Sequence, residues 1–390
     1  MVLIIRSLGL LFYFFLALAG LLGLAGFGLA FHFWLFLHSP SSADREPHHV
    51  IVKQGMNANR ISQLLENEGL IVGDREFRLL CWLERCGQKL RSGEYVLYSL
   101  QTPPQILEKL MLGKGIIHRV TFPEGSSARD VAKLLAQSGL ASEERVLELS
   151  RDGEEAKSLG LRVPDLEGYL FPDTYYFEKT QDEGAMLKEM VHQSLRHFTT
   201  PMHERASELG MSVHEVLILA SLVEKEAKVD EERPLIAAVF ANRLKLNMPL
   251  QSDPTAVYDL PGFSGTVTRQ HLERDSPYNT YKIHGLPKGP ICNPGDKSVQ
   301  AVLYPRDVPY LYFVSNNDGT HQFSTTLEEH ERAVERYREK REAEKSGGQG
   351  GQGQGSQGQA GQGKGNQDNP GAQSKAQSGA TPAPQPAKKP

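Results

Sequence analysis

From Ser7 to Leu37 the chain carries no Asp, Glu, Lys or Arg. That run is longer than the ~20 apolar residues that cross a bilayer, so it reads as a membrane helix. Arg6 before it and Ala17-Leu18-Ala19 within it also fit a cleavable signal peptide. Cleavage there would leave a second long apolar run at the new terminus, so the expectation is a retained anchor. No cysteine follows the apolar core to accept a lipid. Arg6 precedes the span while Arg45 and Lys53 follow it, which leaves only a slight positive-inside bias.

The 390 residues leave room for two or three domains with a sizeable core. A net charge of -4, with no basic stripe carrying interleaved aromatics, gives no sign of a nucleic-acid partner. Cys81, Cys86 and Cys292 form no metal or redox spacing. Cys81 and Cys86 sit on an expected helix, where their side chains diverge, so all three are expected as small core residues.

After the linker at 39–47 an internal repeat appears. Gly55, Ala58, Ile61, Leu64, Leu65, Gly69 and Leu70 recur 70 residues later as Gly125, Ala128, Val131, Leu134, Leu135, Gly139 and Leu140. Each copy reads as a short strand, a Gly turn and an amphipathic helix with a Gly stop. The first copy adds a helix near 74–85 and a strand at 93–98. A further helix is expected from Thr102-Pro103 to Gly113. In the second copy no return strand is evident. The first copy resembles the LysM domain, a strand-helix-helix-strand module that binds N-acetylglucosamine-containing glycans. Two packing modules without a ligand are the structural alternative.

The helix expected from Val213 to Lys228 carries acids where a core helix should not. Ser212 and Glu215 form its capping box. At 100° per residue Val213, Val216, Leu217, Ala220, Val223 and Ala227 share a stripe, and Glu224 falls inside it. Burial there would raise its carboxyl pKa, as a proton donor near neutrality requires. Glu226 falls between Leu219 and Leu222 on another side and is the runner-up. The structural alternative pairs Glu224 with Lys228 at i+4.

The surrounding segments are loop-rich. Leu166-Glu-Gly-Tyr-Leu-Phe-Pro-Asp-Thr-Tyr-Tyr176 holds Glu167, Tyr169 and Asp173 among aromatics. Such loops suit sugar rings, whose apolar faces stack on aromatics. A second helix is expected at 233–246. Beyond it come Leu250-Gln-Ser-Asp-Pro-Thr255, Ser276-Pro-Tyr-Asn-Thr-Tyr281, Gly285-Leu-Pro287 and Pro290-Ile-Cys-Asn-Pro-Gly295. Gln251, Ser252, Asp253, Tyr278, Asn279 and Tyr281 are groove candidates, each with an ordinary turn-forming alternative. A hairpin around Asn316-Asn-Asp-Gly319 and a helix capped by Thr326 and Glu329 follow. His321 and His330 match no metal spacing. From Ser346 to Pro390 the composition is Gly, Gln, Ser, Pro and Ala without periodicity, as in a disordered tail.

In order along the chain, the 166–175 segment, Ile218-Leu-Ala-Ser-Leu-Val-Glu-Lys-Glu226, Phe240-Ala-Asn-Arg-Leu244, the 250–255 segment, Tyr278-Asn-Thr-Tyr281, Gly285-Leu-Pro287 and Tyr310-Leu-Tyr-Phe-Val314 resemble the endolytic murein transglycosylase family, also called YceG-like. The resemblance implies a single-pass inner-membrane protein, with its N-terminus cytoplasmic, whose periplasmic part cuts nascent peptidoglycan glycan strands. It puts the catalytic acid at Glu224 and an accessory acid at Glu167. It implies no cofactor: a pyridoxal-dependent lyase label also used for the family finds no marked lysine here. Penicillin-binding proteins are the implied partners. A lytic transglycosylase needs one carboxyl, which protonates the glycosidic oxygen and then takes the proton of the muramic C6 hydroxyl, whereas a hydrolase usually needs two. The alternative is a non-catalytic glycan-binding scaffold.

The expected fold class is α+β. It comprises an anchor at 1–38, a LysM-like module at 48–115, a repeat-like connecting subdomain at 116–160, a mixed α+β catalytic domain with a central buried helix at 161–345, and the tail at 346–390.

Overall fold

The computed structural model describes residues 2–347, so nearly all of the tail lies outside the described residues. The fold is mixed α+β, in two compact units. The first runs through Val120 and takes in Leu135–Ala141 and Tyr175–Asp182; the second holds Thr121–Leu134, Ser142–Thr174 and the residues from Glu183 on.

The first unit begins with helix α1 (Val2–His38). Its Leu11–His38 part, with mean hydropathy 2.2, is long and apolar enough to cross a membrane. The last turns of α1 belong to a core: Phe36 is 7% exposed, and Phe33 and Leu37 pack beside it. That core closes over β1 (Pro47–Val52), α2 (Ala58–Asn67), α3 (Asp74–Leu83), β2 (Gly93–Tyr98) and α4 (Pro103–Leu112). The strand-helix-helix-strand order is therefore present, with β1 and β2 antiparallel and Val50 opposite Tyr95. Asn57 caps α2 by accepting the Arg60 N–H at 3.0 Å. Thr102 caps α4, and Gly113 ends it in the left-handed region.

Cys81 and Cys86 are buried in this core as expected, but the expectation that their side chains diverge is corrected here. α3 stops at Leu83, and Arg85 takes φ 52, which turns the chain back. The Cys86 N–H then donates to the Cys81 carbonyl at 2.9 Å, the Cα atoms stand 5.1 Å apart, and the two thiols are joined as a disulfide. A continuous helix would have kept them apart; only Cys292 is free, and it is buried.

The repeat extends to the backbone. Gly55 and Gly125 take φ 79 and 76, and Gly69 and Gly139 both take 69, values that L side chains adopt only with strain. β3 (Ile117–Thr121) leads into α5 (Ala128–Gln137) as β1 leads into α2. The return strand missing from the sequence pattern is β4 (Thr174–Glu178), which pairs with β3. It was hidden because α6 (Glu143–Ser150), α7 (Gly153–Ser158) and the aromatic loop are inserted before it.

The second unit continues with α8 (Glu183–His197), α9 (Thr200–Glu208), α10 (Val213–Glu226) and α11 (Arg233–Lys245). After α12 (Arg269–Leu272) and α13 (Asp296–Leu303) come the hairpin β5 (Tyr312–Ser315) and β6 (His321–Ser324), then α14 (Leu327–Gly347). The capping box of Ser212 and Glu215 starts α10 as expected. α10 packs on α11 and α13, and these pack on each other. Every residue from Val216 to Val223 is buried, so α10 is enclosed on all sides. The apolar stripe therefore does not distinguish Glu224 from Glu226: Leu219 and Leu222 are as deep as Leu217.

Candidate functional site

α10 ends between two loops, and its last turn sends Glu226 to one of them. The Ser252 hydroxyl donates to Glu226 Oε1 at 2.5 Å. Burial pushes the Glu226 carboxyl up to about 7; Ser252 works against that shift and the nearby Asp253 adds to it. The negative end of the α10 dipole acts in the same direction as burial. Glu226 remains partly open to solvent.

Ser252 is itself held. Its N–H donates to Thr280 Oγ1 at 2.9 Å, and the Gln251 N–H donates to the Thr280 carbonyl at 3.1 Å. Thr255 and Thr280 share a hydroxyl–hydroxyl bond at 2.8 Å. The Tyr281 hydroxyl donates to Asp253 Oδ1 at 2.5 Å, while burial holds the Asp253 carboxyl above its usual range. The Gln251 amide oxygen accepts from Arg243 at 3.1 Å. Gln251, Ser252, Asp253 and Tyr281 therefore join Glu226 in one linked cluster.

Glu224 has different surroundings. Its side chain is 6% exposed, and Arg233 stands 3.1 Å from Oε1. Its Oε2 accepts the Ser298 hydroxyl at 2.8 Å and the Gly295 N–H at 3.0 Å. The carboxyl therefore meets polar donors, where the stripe argument expected apolar walls. Lys228 is not its partner, because Ala227 is extended and takes Lys228 off the helix. Arg233 also binds Asp230 at 3.0 Å. Glu124 lies against Gly295, where a β-carbon would collide with its carboxyl. Burial and the charge of Glu224 raise the Glu124 carboxyl above its usual range. Cavities of about 460 and 410 Å³ share Asp296 and Gln300; Arg233 and Lys297 line the first, Gln193 and His197 the second.

Glu167 is 5% exposed, and its contacts are structural. Its two oxygens accept the Ala128 N–H at the start of α5 at 3.0 and 3.1 Å, the Tyr258 hydroxyl at 2.8 Å and the Asn293 amide at 3.3 Å. It caps the start of α5. Burial pushes its carboxyl up to about 7 despite these donors. Tyr169 is buried, with its hydroxyl 3.1 Å from His214 Nδ1. Asp173 is exposed and accepts its neighbour's N–H at Thr174 and the Gln193 amide.

One groove candidate is corrected. Asn279 is 0% exposed and cannot reach a ligand. Its amide donates to the carbonyls of Leu272 and Arg274 at 3.0 and 2.6 Å, which fixes the loop. The Tyr278 ring packs on Tyr258, centroids 4.8 Å apart, on the Glu167 side of the unit. Among the described residues no group of His, Cys, Asp and Glu has the arrangement of a metal site. His321 binds Glu232 at 2.7 Å, and His330 stacks on Tyr312.

Sequence reasoning missed Arg233, Ser298, Glu124 and Asn293. Arg233 and Ser298 lie on separate helices and carry no local motif. Asn293 links three segments, donating to the Ser126 carbonyl at 2.8 Å and accepting the Leu170 N–H at 2.9 Å. The Cys-Asn-Pro-Gly loop that contains it was the available signal.

A two-unit α+β chain with an acid at the end of a buried helix, bonded to the Gln-Ser-Asp-Pro-Thr loop, belongs to the YceG-like family, whose model matches residues 50–336. The endolytic murein transglycosylase of Bacillus subtilis (strain 168) is 33% identical over 304 residues, covering 73% of this chain and 83% of that protein. The endolytic murein transglycosylase of Streptococcus pneumoniae (serotype 2) is 28% identical over 315 residues, covering 73% of this chain and 57% of that protein. A crystal structure of a YceG-like protein from Listeria monocytogenes superposes with a TM-score of 0.52 at 34% identity, covering 74% of this chain and 99% of that one.

Proposed function

We propose that this chain is a membrane-anchored endolytic murein transglycosylase that uses Glu226 as its proton donor. The two relatives carry that name, and the observation that carries the assignment of the acid is its chemistry. Of Glu167, Glu224 and Glu226, it is Glu226 that combines a carboxyl raised to about 7, partial solvent access and a hydroxyl donor ready for the ionised form. Glu224 has its oxygens occupied by Arg233, Ser298 and Gly295, which suits a structural ion pair. Glu167 is enclosed at a helix start.

In this mechanism protonated Glu226 gives its proton to the glycosidic oxygen between N-acetylmuramic acid and N-acetylglucosamine. The C1–O bond breaks, and the leaving sugar departs with a 4-hydroxyl. Glu226, now a carboxylate receiving the Ser252 hydroxyl, takes the proton of the muramic C6 hydroxyl. Its oxygen bonds to C1, closing a 1,6-anhydro ring and returning the acid to its starting state without consuming water. Cuts of this kind inside nascent strands would limit their length.

The accompanying assignments are also proposals. The strand-helix-helix-strand unit serves as a LysM-like glycan holder at 48–115, with a connecting subdomain at 116–160 and the catalytic domain from 161. α1 is a single-pass anchor whose N-terminus is cytoplasmic, so that the remainder faces the periplasm, where murein and penicillin-binding proteins are found.

The test is product chemistry on purified glycan strands. Mass spectrometry should find 1,6-anhydro ends with the wild-type chain and none with Glu226→Gln. Loss with Glu224→Gln and retention with Glu226→Gln would reverse the assignment. Water-derived reducing ends would indicate a hydrolase, with Asp253 as the second carboxyl. No cleavage, with binding intact, would indicate the scaffold alternative.

A further inference from the structure

α3 divides into two faces. Phe77, Leu80 and Cys81 point into the core. On the opposite side Arg75, Leu79 and Trp82 lie within one stripe at 100° per residue, flanked by Arg78 and Leu83. Trp82 is 74% exposed, Leu79 45% and Leu83 52%, and Val72 just before the helix is 73% exposed. An outward face of this kind, apolar with an indole, is unusual on a small module. Arg75 and Arg78 lie on or beside it, with Arg85 and Lys89 exposed beyond the helix, while Glu76 is turned to His32 and Glu84 is exposed at the helix end. Asp74 is bridged to Arg78 at 3.2 Å.

The position of α3 along α1 indicates what covers this face. About 20 helical residues fill the hydrocarbon of a bilayer, which, counted from Ser7 where the uncharged run begins, is reached near residue 26. His32 comes about six residues, ~9 Å of helix, beyond that point, and its Nε2 lies 3.2 Å from Glu76 Oε1 in the first turn of α3. Phe33, Phe36 and Leu37 then enter the core of the same module. The anchor and the module are therefore packed together, without a free linker, and α3 begins at the level of the lipid headgroups.

We propose that the α3 face of Val72, Leu79, Trp82 and Leu83 seats in the headgroup and upper acyl region of an anionic membrane, with Arg75 and Arg78 against lipid phosphates. Indole at the interface and cations beside anionic headgroups are the chemistry such a surface accepts. The inference rests on the reading of α1 as a membrane anchor and not on the enzymatic assignment. Trp82 and Leu83 also border an open cavity of about 1040 Å³ with Asn59 and Gln88, so a glycan is the competing occupant.

The chain has two tryptophans, Trp34 and Trp82, so Trp34→Phe leaves Trp82 as a single reporter. The full chain is reconstituted in vesicles of phosphatidylethanolamine and phosphatidylglycerol, with and without bromine on the upper acyl chain. The expected result is blue-shifted Trp82 emission that loses most of its intensity to brominated lipid and is shielded from acrylamide. Arg75→Glu with Arg78→Glu should restore acrylamide access. Trp82 quenched by acrylamide and insensitive to bromine would overturn the inference. Shielding without bromine quenching would also overturn it, in favour of a glycan or a second copy. Flotation reads the anchor separately: a chain that floats with Trp82 unquenched overturns only the docked face, and one that fails to float overturns both.

Discussion

The Ser252 hydroxyl reaches Glu226 Oε1 across 2.5 Å and ties the last turn of α10 to the loop that follows α11. Glu224 also accepts a hydroxyl but is held in an ion pair by Arg233, and Glu167 accepts the Tyr258 hydroxyl while enclosed at a helix start; Glu226 has its hydroxyl donor without either constraint. Replacing Glu226 with Gln keeps shape and removes the proton. We expect anhydro-product formation to fall by about 10²–10⁴-fold, the range for losing a general acid, while the melting temperature holds or rises. Product release followed by mass spectrometry and a thermal melt check the two halves.

The same contact sets a pH dependence. Proton donation requires Glu226 protonated, so activity should decline as pH rises through about 7. Ser252 lowers the Glu226 pKa. Ser252→Ala should therefore move the alkaline limb to higher pH and also reduce the maximal rate. A limb that stays in place in rate–pH profiles of the variant would detach Ser252 from the acid.

Much of this arrangement was legible in the sequence. The capping box at Ser212, the helix start at Thr102-Pro103, the glycine pairs of the repeat and the hairpin at Asn316 are set by neighbours within a few residues, and local chemistry determines them. The choice between Glu224 and Glu226 was not legible, since it depends on what packs around α10. A helix buried on every side has no preferred stripe, and the donors to Glu224 come from Arg233, Gly295 and Ser298, up to 74 residues away in sequence. The return strand β4 was hidden for a similar reason, its pairing being separated from β3 by three helices and a loop.

Glu224 and Arg233 form a pair with side chains 6% and 10% exposed. Removing one partner strands the other charge, which costs about 3–5 kcal/mol in buried pairs. Glu224→Gln should therefore unfold at markedly lower denaturant and yet cleave glycan at a temperature where it is folded. Arg233→Met should be destabilised similarly, and the double variant by less than the sum of the two. Additive losses in urea titrations would mean the two residues act independently.

Glu167 contributes to stability in a pH-dependent way. Its folded carboxyl titrates near 7, above the usual value of 4.5, so the folded state holds a proton that the unfolded chain releases. Its contribution is complete below about 4.5 and is lost as pH rises through about 7, by roughly 3 kcal/mol. Glu226 adds a contribution of the same sign. Stability measured by denaturant should fall between pH 5 and 7, with a shallower fall in Glu167→Gln. Glu167→Ala should lower stability at every pH, since the Ala128 N–H and the Tyr258 hydroxyl lose their acceptor.

The Cys81–Cys86 bridge spans a sequence separation of 5. A loop that short restricts the unfolded chain only modestly, by about 2 kcal/mol on the chain-entropy account. The bond is nonetheless well placed, because it fixes the turn at Arg85 where α3 stops and the chain reverses toward β2. Cys81→Ser with Cys86→Ser should destabilise the first unit by about that amount and fray the end of α3, measurable as faster amide exchange at residues 82–86. Alkylation supplies the direct count: in denaturant without reductant only Cys292 should be labelled, and after reduction all three cysteines. If three are labelled at the outset in chain recovered from an oxidising compartment, Arg85 alone maintains the turn, and the double serine variant should then be as stable as the parent.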